Sequence, residues 1–217
     1  MKPLLYILTA AAVLYLLNQV RKPTRWTGRF FVWMMNLSHS ALTDWGLTHI
    51  TIGRNFTILD VGCGGGRTIG KLSAQAIEGM VHGVDYANGS VAASRAAMKS
   101  GRVAITQASV SQLPFPDNTF DLVTAVETQY YWPDLVRDMQ EILRVLKPGG
   151  TLLVIAESYA KGKHGTKFLN FARLSVEEQR ERFSTSGYQR IQIFEERKQG
   201  WLCATGIKAG GGRSLPR

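Results

Sequence analysis

The sequence feature that most constrains the fold is a glycine-rich loop that directly follows an apolar stretch. The segment ILDVGCGGGRT, residues 58–68, runs from strand-forming residues into glycines at positions 62, 64, 65 and 66. A strand, a glycine loop and a helix N-terminus in this order bring backbone N–H groups close to a bound ligand. Two ligand classes use the arrangement: dinucleotides, and nucleoside cofactors that lack a pyrophosphate.

The spacing of the glycines argues against a dinucleotide. The dinucleotide fingerprint G-x-G-x-x-G needs its third glycine where the helix packs tightly on the strand, and Arg67 stands there. Asp60 precedes the loop, where a carboxylate can accept a hydrogen bond from the ammonium of an amino-acid moiety. Asp85, nineteen residues after Gly66, can accept both hydroxyls of a ribose. A plainer interpretation of Asp85 is a helix N-cap or a turn residue.

From residue 56 the sequence alternates between strand and helix patterns. Continuous apolar strands are predicted near residues 56–62, 80–86, 103–109, 120–128 and 151–158, with helices between them. Residues 147–150, KPGG, are predicted to terminate the third of these helices, and Gly101 to stop the second. Such a pattern predicts a parallel sheet covered on both faces. After a charged helix, residues 188–196 and 200–208 predict a hairpin that adds antiparallel strands at one edge.

Together with Asp85 and the glycine loop, two further segments identify a family. From about residue 56 to 156 the chain resembles the class I S-adenosylmethionine-dependent methyltransferases, in particular the branch with the ubiquinone and menaquinone methyltransferases. LDVGCGGG is similar to the first motif of that family and GVDYA to its ribose motif. QASVSQLPFPDNTFDLV is similar to its adenine-side loop, and ILRVLKPGGTLLV to its last helix–turn–strand motif.

The resemblance implies an α/β fold, a Rossmann-like and mostly parallel sheet of seven strands in the order 3-2-1-4-5-7-6 with helices on both faces. It implies S-adenosyl-L-methionine as the cofactor, S-adenosyl-L-homocysteine as the product, and no metal. Gly62, Gly64 and Gly66 would approach the methionine portion. Ser109 stands where the family commonly has aspartate, so that its hydroxyl would meet the adenine amine, with Val110 offering its backbone N–H. The predicted cofactor-binding residues are Asp60, Gly62, Cys63, Gly64, Gly66, Asp85, Tyr86, Ser109, Val110 and Glu127.

Methyl transfer from a sulfonium needs alignment and the exclusion of water more than a fixed general base. The fourth strand ends in ETQYYWPD, at the carboxyl edge of the sheet, where ligands bind. Glu127 and Tyr131 are therefore catalytic candidates, and Tyr130, Tyr131 and Trp132 are acceptor-side candidates, since aromatic faces suit a sulfonium or an apolar acceptor. The alternative is that these aromatic residues pack the following helix.

The segment before the domain supplies a second group of candidates. The family folds a lid in this region, which makes Met35 and Trp45 substrate-side candidates and His39 a candidate base. The alternative for His39 is a capping or core role.

The first twenty residues predict a membrane anchor. Residues 3–17 carry no charge, and a helix continued to Val20 is about 27 Å long, close to the thickness of the hydrocarbon core. A cleaved signal peptide is the alternative, although no small-x-small site follows Leu17. Lys2 stands alone before the apolar stretch, whereas four basic residues follow it, so that the positive-inside rule places the domain in the cytoplasm.

Four segments result: an anchor at 1–20, a basic linker with lid helices at 21–54, the methyltransferase domain at 55–208 and a disordered tail at 209–217. The net charge is +10, and its clustering beside the apolar segment favours a membrane surface over nucleic acid. The expected function is methyl transfer at a membrane to a small apolar acceptor such as a quinol, phenol, thiol or lipid-like molecule. The alternatives are a non-catalytic cofactor-binding scaffold and a protein or nucleic-acid methyltransferase.

Overall fold

The computed structural model describes residues 40–98, 100–158 and 174–210. Helices and strands alternate through most of this part of the chain. The helices are α1 (Ser40–Leu47), α2 (Arg67–Gln75), α3 (Asn88–Ala97), α4 (Leu135–Val145) and α5 (Val176–Thr185). The strands are β1 (Thr57–Val61), β2 (Met80–Asp85), β3 (Val103–Gln107), β4 (Phe120–Val126), β5 (Leu146–Glu157), β6 (Gln189–Glu196) and β7 (Trp201–Ile207).

The seven strands form one sheet in the order β3-β2-β1-β4-β5-β7-β6, which confirms the predicted fold class. The strands β1 to β5 pair in parallel, and β7 runs antiparallel to both β5 and β6. The carboxyl ends of β1, β2, β4 and β5 therefore meet along one edge, at which ligands bind in sheets of this class.

Local sequence signals explain where the helices begin. The loop glycine Gly66 adopts a left-handed conformation with φ of 84° immediately before α2. Asp134 accepts a hydrogen bond from the backbone N–H of Arg137 at the start of α4. At the start of α5, Ser175 and Glu178 form a capping box in which each side chain accepts a hydrogen bond from the other's backbone N–H.

Two apolar cores cover the two faces of the sheet. One contains Phe120 and Phe183, both fully buried, and the other contains Leu42, Ile58 and Leu72. Helix α1 joins the second core through Leu42 and Leu47. Gly46 allows this helix to approach β5 closely, since a Cβ at this position would lie 2.4 Å from Ile155 Cδ1.

Two boundaries differ from the sequence predictions. The fifth strand was predicted to begin at residue 151, after a turn at residues 147–150. In the structure β5 already begins at Leu146 and includes these four residues. Lys208, which follows β7, accepts a hydrogen bond from Gly149 N–H and donates its own N–H to Gly150 O, so that this end of β5 is paired. Helix α3 ends at Ala97, before Gly101.

Within residues 40–98, 100–158 and 174–210, no helix combines the length and apolar character needed to cross a membrane. The predicted anchor at 1–20 lies outside these residues, as do Met35, His39 and most of the predicted tail. The anchor and the roles of these residues stay predictions.

Candidate active site

The glycine loop crosses the carboxyl end of β1 and lies against two other elements. Gly62, Gly64 and Gly66 all have positive φ, at 72°, 52° and 84°, a region that residues with a Cβ rarely adopt. The N–H of Gly62 donates to Val84 O at 2.8 Å, which ties the loop to β2. A Cβ on Gly62 would lie 2.1 Å from Thr128 Oγ1. The loop therefore fits this site only with glycine at position 62.

Asp85, at the end of β2, binds the loop through its carboxylate. Its Oδ2 accepts the N–H of Gly64 at 2.9 Å and its Oδ1 accepts the N–H of Ala87 at 2.8 Å. The Ser90 side chain is a further hydrogen-bond partner, while burial raises the pKa of the carboxyl above its ordinary value. Each carboxylate oxygen can accept a second hydrogen bond. The carboxylate is thus held in place with acceptor capacity for ribose hydroxyls.

Asp60 is buried at the base of the site. Only 2% of its surface is exposed, and Thr124, its register partner on β4, donates its hydroxyl to Oδ1 at 2.6 Å. Burial raises the pKa of Asp60 to about 7, against the opposing effect of the Thr124 hydrogen bond, and the charge of Asp85 raises it further. A ligand ammonium brought near Asp60 would favour the ionised carboxylate.

The other predicted cofactor residues divide into exposed and buried ones. Tyr86 is 63% exposed beside Asp85, and its backbone oxygen accepts a hydrogen bond from the Gln107 amide. The Ser109 hydroxyl accepts the N–H of Ser111 at 3.2 Å. The side chains of Cys63 and Val110 are buried in the two cores, and burial raises the pKa of the Cys63 thiol well above its usual range. These two residues can contact a ligand only through their backbone.

Residues 127–132, which follow β4, form what we call the acceptor-side segment. Glu127 begins it with a φ of 54°, unusual for a residue with a side chain. The Glu127 Oε1 accepts the N–H of Glu157 at 2.6 Å and the Tyr130 hydroxyl at 2.9 Å. The side chain therefore joins the ends of β4 and β5.

The aromatic residues of the segment have different surroundings. The Tyr130 and Tyr131 rings meet edge to face at 6.4 Å. Trp132 packs against the first core, as the alternative interpretation of this cluster expected. Trp45 of α1 belongs to a separate aromatic group, with its ring 5.9 Å from that of Trp201, which in turn pairs with Glu157 on β5.

Several residues of this site carry no recognisable signal in a single sequence. Thr124 contacts Asp60 through a register with β1 that only the folded sheet sets, and Thr128, which follows β4, lies against Gly62. Trp201 reaches the edge because β7 runs antiparallel to β5. The predicted strand order could have pointed to β4 as the neighbour of β1, though not to the residues that meet.

The geometry fits a cofactor that carries an amino acid and a ribose. Two carboxylates flank a cradle of three glycines, and the N-terminus of α2 follows directly, where backbone N–H groups favour an anionic group. In the described part of the chain, no cluster of three or more His, Cys, Asp or Glu side chains is arranged to hold a metal ion.

Comparisons with known proteins agree with this geometry. The model of a methyltransferase domain family matches residues 59–154, somewhat less than half of the chain. Methyltransferase YdaC of Bacillus subtilis is 25% identical over 161 residues, covering 74% of this chain and 87% of its own. The demethylmenaquinone methyltransferase of Bacillus licheniformis is 30% identical over 122 residues, which cover 55% of this chain and 53% of that protein.

A solved structure extends the likeness in fold. The methyltransferase in complex with the Haloferax volcanii Trm112 methyltransferase activator superimposes with a TM-score of 0.75 at 22% identity, over 85% of this chain and 96% of that one. The protein is thus a methyltransferase of the class I fold. Its cofactor is S-adenosylmethionine.

Proposed function

We propose that the protein methylates a small apolar acceptor, of the quinol, phenol, thiol or lipid-like kind, which it meets at a membrane surface. Residues 1–20 would anchor it, with the domain on the cytoplasmic side. The apolar composition of that stretch and the basic residues behind it support the anchor. Demethylmenaquinone and sterol methyltransferases are among the relatives, although the chain spans only 28% to 53% of their length.

One observation carries the acceptor proposal: the segment that touches the glycine loop is also aromatic. Thr128 lies against Gly62, and Tyr130 and Tyr131 follow within three residues. Aromatic side chains beside the methionine end of the cofactor would favour an apolar or flat acceptor. The neighbouring pair of Trp45 and Trp201 adds apolar surface at the end of β5.

The cofactor supplies a methyl group on a sulfonium. The chain itself orients the acceptor against this group and excludes water. Where the acceptor is a phenol or quinol, Glu127 would be the carboxylate that takes the hydroxyl proton, because it directly follows the carboxyl end of β4, the edge at which ligands bind. With its proton held on Glu127, the acceptor oxygen would be the nucleophile for the methyl group that the bound cofactor supplies, and the sulfonium sulfur would keep the electron pair of the broken S–CH3 bond and leave as the thioether S-adenosylhomocysteine.

An acceptor screen tests the proposal. The full chain in phospholipid vesicles is incubated with methyl-labelled cofactor and, separately, a short-chain prenyl naphthoquinol, a phenol, an alkyl thiol, an alkyl amine, and a membrane extract that contains protein and RNA. We expect label in an organic-extractable small molecule, and strongly reduced label with Asp85→Asn at the same cofactor concentration. Transfer only to protein or RNA, or cofactor binding without transfer to any acceptor in a membrane extract, would contradict the proposal.

A substitution that introduces one charge into the apolar stretch tests membrane attachment. Placing arginine in the middle of an apolar span costs about 2.5–3.5 kcal/mol on insertion scales. We expect the wild-type chain to stay with membranes through alkaline carbonate extraction, and Leu14→Arg to be released in part. The matched control is Lys22→Arg, which keeps the charge. Release of the wild-type chain by carbonate would exclude the anchor.

A further inference from the structure

A reciprocal amide pair links the acceptor-side segment to α5. Gln129 Nε2 donates to Gln179 Oε1 at 3.2 Å, and Gln179 Nε2 donates back to Gln129 Oε1 at 3.3 Å. The two residues are 6% and 0% exposed and lie fifty positions apart in the chain. Each amide satisfies both a donor and an acceptor of the other in a site with little access to water.

Helix α5 is fixed to the sheet independently of this pair. Phe183 is fully buried in the first core, and the Ser186 hydroxyl donates to Val136 O at 3.4 Å. Tyr188, just after the helix, donates its hydroxyl to Met139 O at 2.9 Å. The helix is therefore a rigid support, and Gln179 extends from it towards the segment.

The pair adds to contacts that hold both ends of the segment, since the Tyr130 hydroxyl also donates to Glu157 O at 3.1 Å and Trp132 packs against the first core. Glu127 holds a positive φ, and conformations of this kind persist only where the surroundings enforce them. Thr128 meets the glycine loop, and Glu127 joins β5. Gln129 is the next residue and opens the short 3₁₀ turn Gln129–Tyr131, which carries both tyrosines.

We propose that Gln179 is a positioning residue for the methyl acceptor. Through Gln129 it fixes the orientation of the turn and hence of Tyr130 and Tyr131. The inference rests on the proposed function, in that the acceptor contacts this segment. It assigns part of acceptor recognition to α5, an element that touches neither the glycine loop nor Asp85 through any hydrogen bond recorded among the described residues.

Hydrogen bonds have a preferred direction, whereas apolar contacts do not. The amide pair can therefore fix the orientation of the turn in addition to stabilising the fold. Removing one amide leaves the other buried without partners, which is destabilising, whereas replacing both by apolar groups of similar shape is nearly neutral. An apolar pair, however, packs in several arrangements of similar energy. The double replacement should therefore restore stability without restoring a single orientation of the turn.

Hydrogen exchange of the full chain with bound S-adenosylhomocysteine separates these effects without any acceptor. The measured quantity is the protection of amides 127–132 relative to that of β1. We expect Gln179→Met to lower both thermal stability and this ratio. The double variant Gln129→Met/Gln179→Met should regain thermal stability while the ratio stays low. If Gln179→Met does not fold, the double variant decides alone.

Two controls make the result specific. Ser186→Ala weakens the attachment of the same helix without touching the pair and should leave the ratio unchanged. Gln140→Met replaces an exposed glutamine of α4 and should change nothing. An unchanged ratio in both pair variants, or an equal fall in Ser186→Ala, would overturn the proposal. So would recovery of the ratio together with stability in the double variant.

Catalysis gives the second readout. With the short-chain prenyl naphthoquinol as the acceptor, Gln179→Met should raise the KM for the acceptor about tenfold. The Kd for the cofactor should stay within about twofold, since the misplacement is confined to the acceptor side. A parallel loss of cofactor affinity would contradict the positioning role. If the wild-type protein does not methylate this probe, the exchange experiment still decides the role of Gln179, and the proposed function is judged by its own screen.

Discussion

The two halves of the site are built in different ways. On the cofactor side, Gly62, Gly64 and Asp85 lie within 24 consecutive residues and act largely through backbone geometry and one carboxylate. On the proposed acceptor side, the Glu127 side chain binds the backbone N–H of Glu157 on β5, and Gln129 binds Gln179 on α5, so that the contacts join separate elements. The cofactor motif is therefore compact in the sequence, whereas the proposed acceptor side consists of residues that only the tertiary fold brings together.

This difference predicts that the halves can be damaged separately. Changes at the glycine loop or its two aspartates should lower cofactor affinity. Changes in the acceptor-side segment should lower transfer while cofactor affinity is preserved. The following predictions go from the largest expected effect to the smallest.

Gly62→Ala should have the largest effect. The new methyl group would overlap Thr128 Oγ1, which lies 2.1 Å from the ideal Cβ position, at a φ of 72°. A left-handed residue with a Cβ costs about 1–2 kcal/mol, and overpacking costs about 1–3 kcal/mol. If the loop shifts to relieve this strain, the Kd for the cofactor should rise by roughly 100-fold or more, measured by calorimetry.

Gly200→Ala is the matched control for this loop change. Its φ is also 72°, but no atom lies within 4 Å of the added Cβ. The variant shares the backbone strain without the overlap, and we expect cofactor affinity close to that of the wild type. Equal losses in the two variants would mean that the loop is not shaped around Thr128.

Asp85→Asn should raise the Kd for the cofactor by roughly 30- to 100-fold, because an amide cannot form the charge-assisted hydrogen bonds that the carboxylate forms with the ribose. It also points an NH₂ group at one of two N–H donors, those of Gly64 and Ala87. Asp121→Asn, which alters an ion pair with Lys147, is the control and should leave the Kd unchanged. An unaltered Kd in Asp85→Asn would remove the ribose role.

The titration of Asp60 should make stability and cofactor binding depend on pH in opposite directions: as the pH rises, stability should fall and cofactor affinity should rise. Its pKa rises from 3.8 to about 7 in the folded protein, mainly through burial. Its contribution to stability is therefore fully present below pH about 4 and is lost as the pH rises to about 7. Cofactor binding favours the ionised form, so that the Kd should fall by up to about tenfold per pH unit below 7 and level off above it.

The variant Asp60→Asn isolates this dependence. Thermal melts and calorimetric titrations between pH 5.5 and 8.5 should show weaker and flatter pH profiles than the wild type. The residual slope belongs to other groups, among them Asp85, whose pKa is also raised by burial. Identical profiles for variant and wild type would show that Asp60 does not titrate with the cofactor.

Tyr130→Phe should have the smallest effect and should confine it to the acceptor side. The hydroxyl donates to Glu127, but Glu127 keeps its contact with the N–H of Glu157. We expect transfer to fall about threefold to tenfold with an unchanged cofactor Kd, in line with the loss of one hydrogen bond. Thr119→Val removes another hydroxyl hydrogen bond, to Pro116 O, just before the start of β4 and at the opposite end of that strand from the segment. A similar loss of transfer there would indicate general destabilisation.

The sequence predicts the glycine loop, the position of Asp85 and the strands well because their determinants are local. Glycines at fixed spacing, an aspartate at the end of the next strand and uninterrupted apolar strands all follow from short-range rules, and the strand order follows from the family resemblance. The extension of β5 through residues 147–150 was missed because it depends on hydrogen bonds to Lys208, some sixty residues away. No local signal reports such a partner.

The acceptor side was predicted only in part, for the same physical reason. Glu127, Tyr130 and Tyr131 stand at the expected edge, but Trp132 packs against the first core. Trp45 meets Trp201, and Gln129 meets Gln179, through contacts that depend on how helices settle on the sheet. An uncharged glutamine in a charged helix gives no indication that it is fully buried.

The central claim is that the glycine loop and Asp85 form the binding site of S-adenosylmethionine. Calorimetric titration of the purified full chain with this cofactor, and separately with a nicotinamide dinucleotide, tests it most directly. We expect one saturable event with the former, strongly weakened by Asp85→Asn, and no heat of binding with the latter. Saturable binding of the dinucleotide and none of S-adenosylmethionine or S-adenosylhomocysteine would contradict the account.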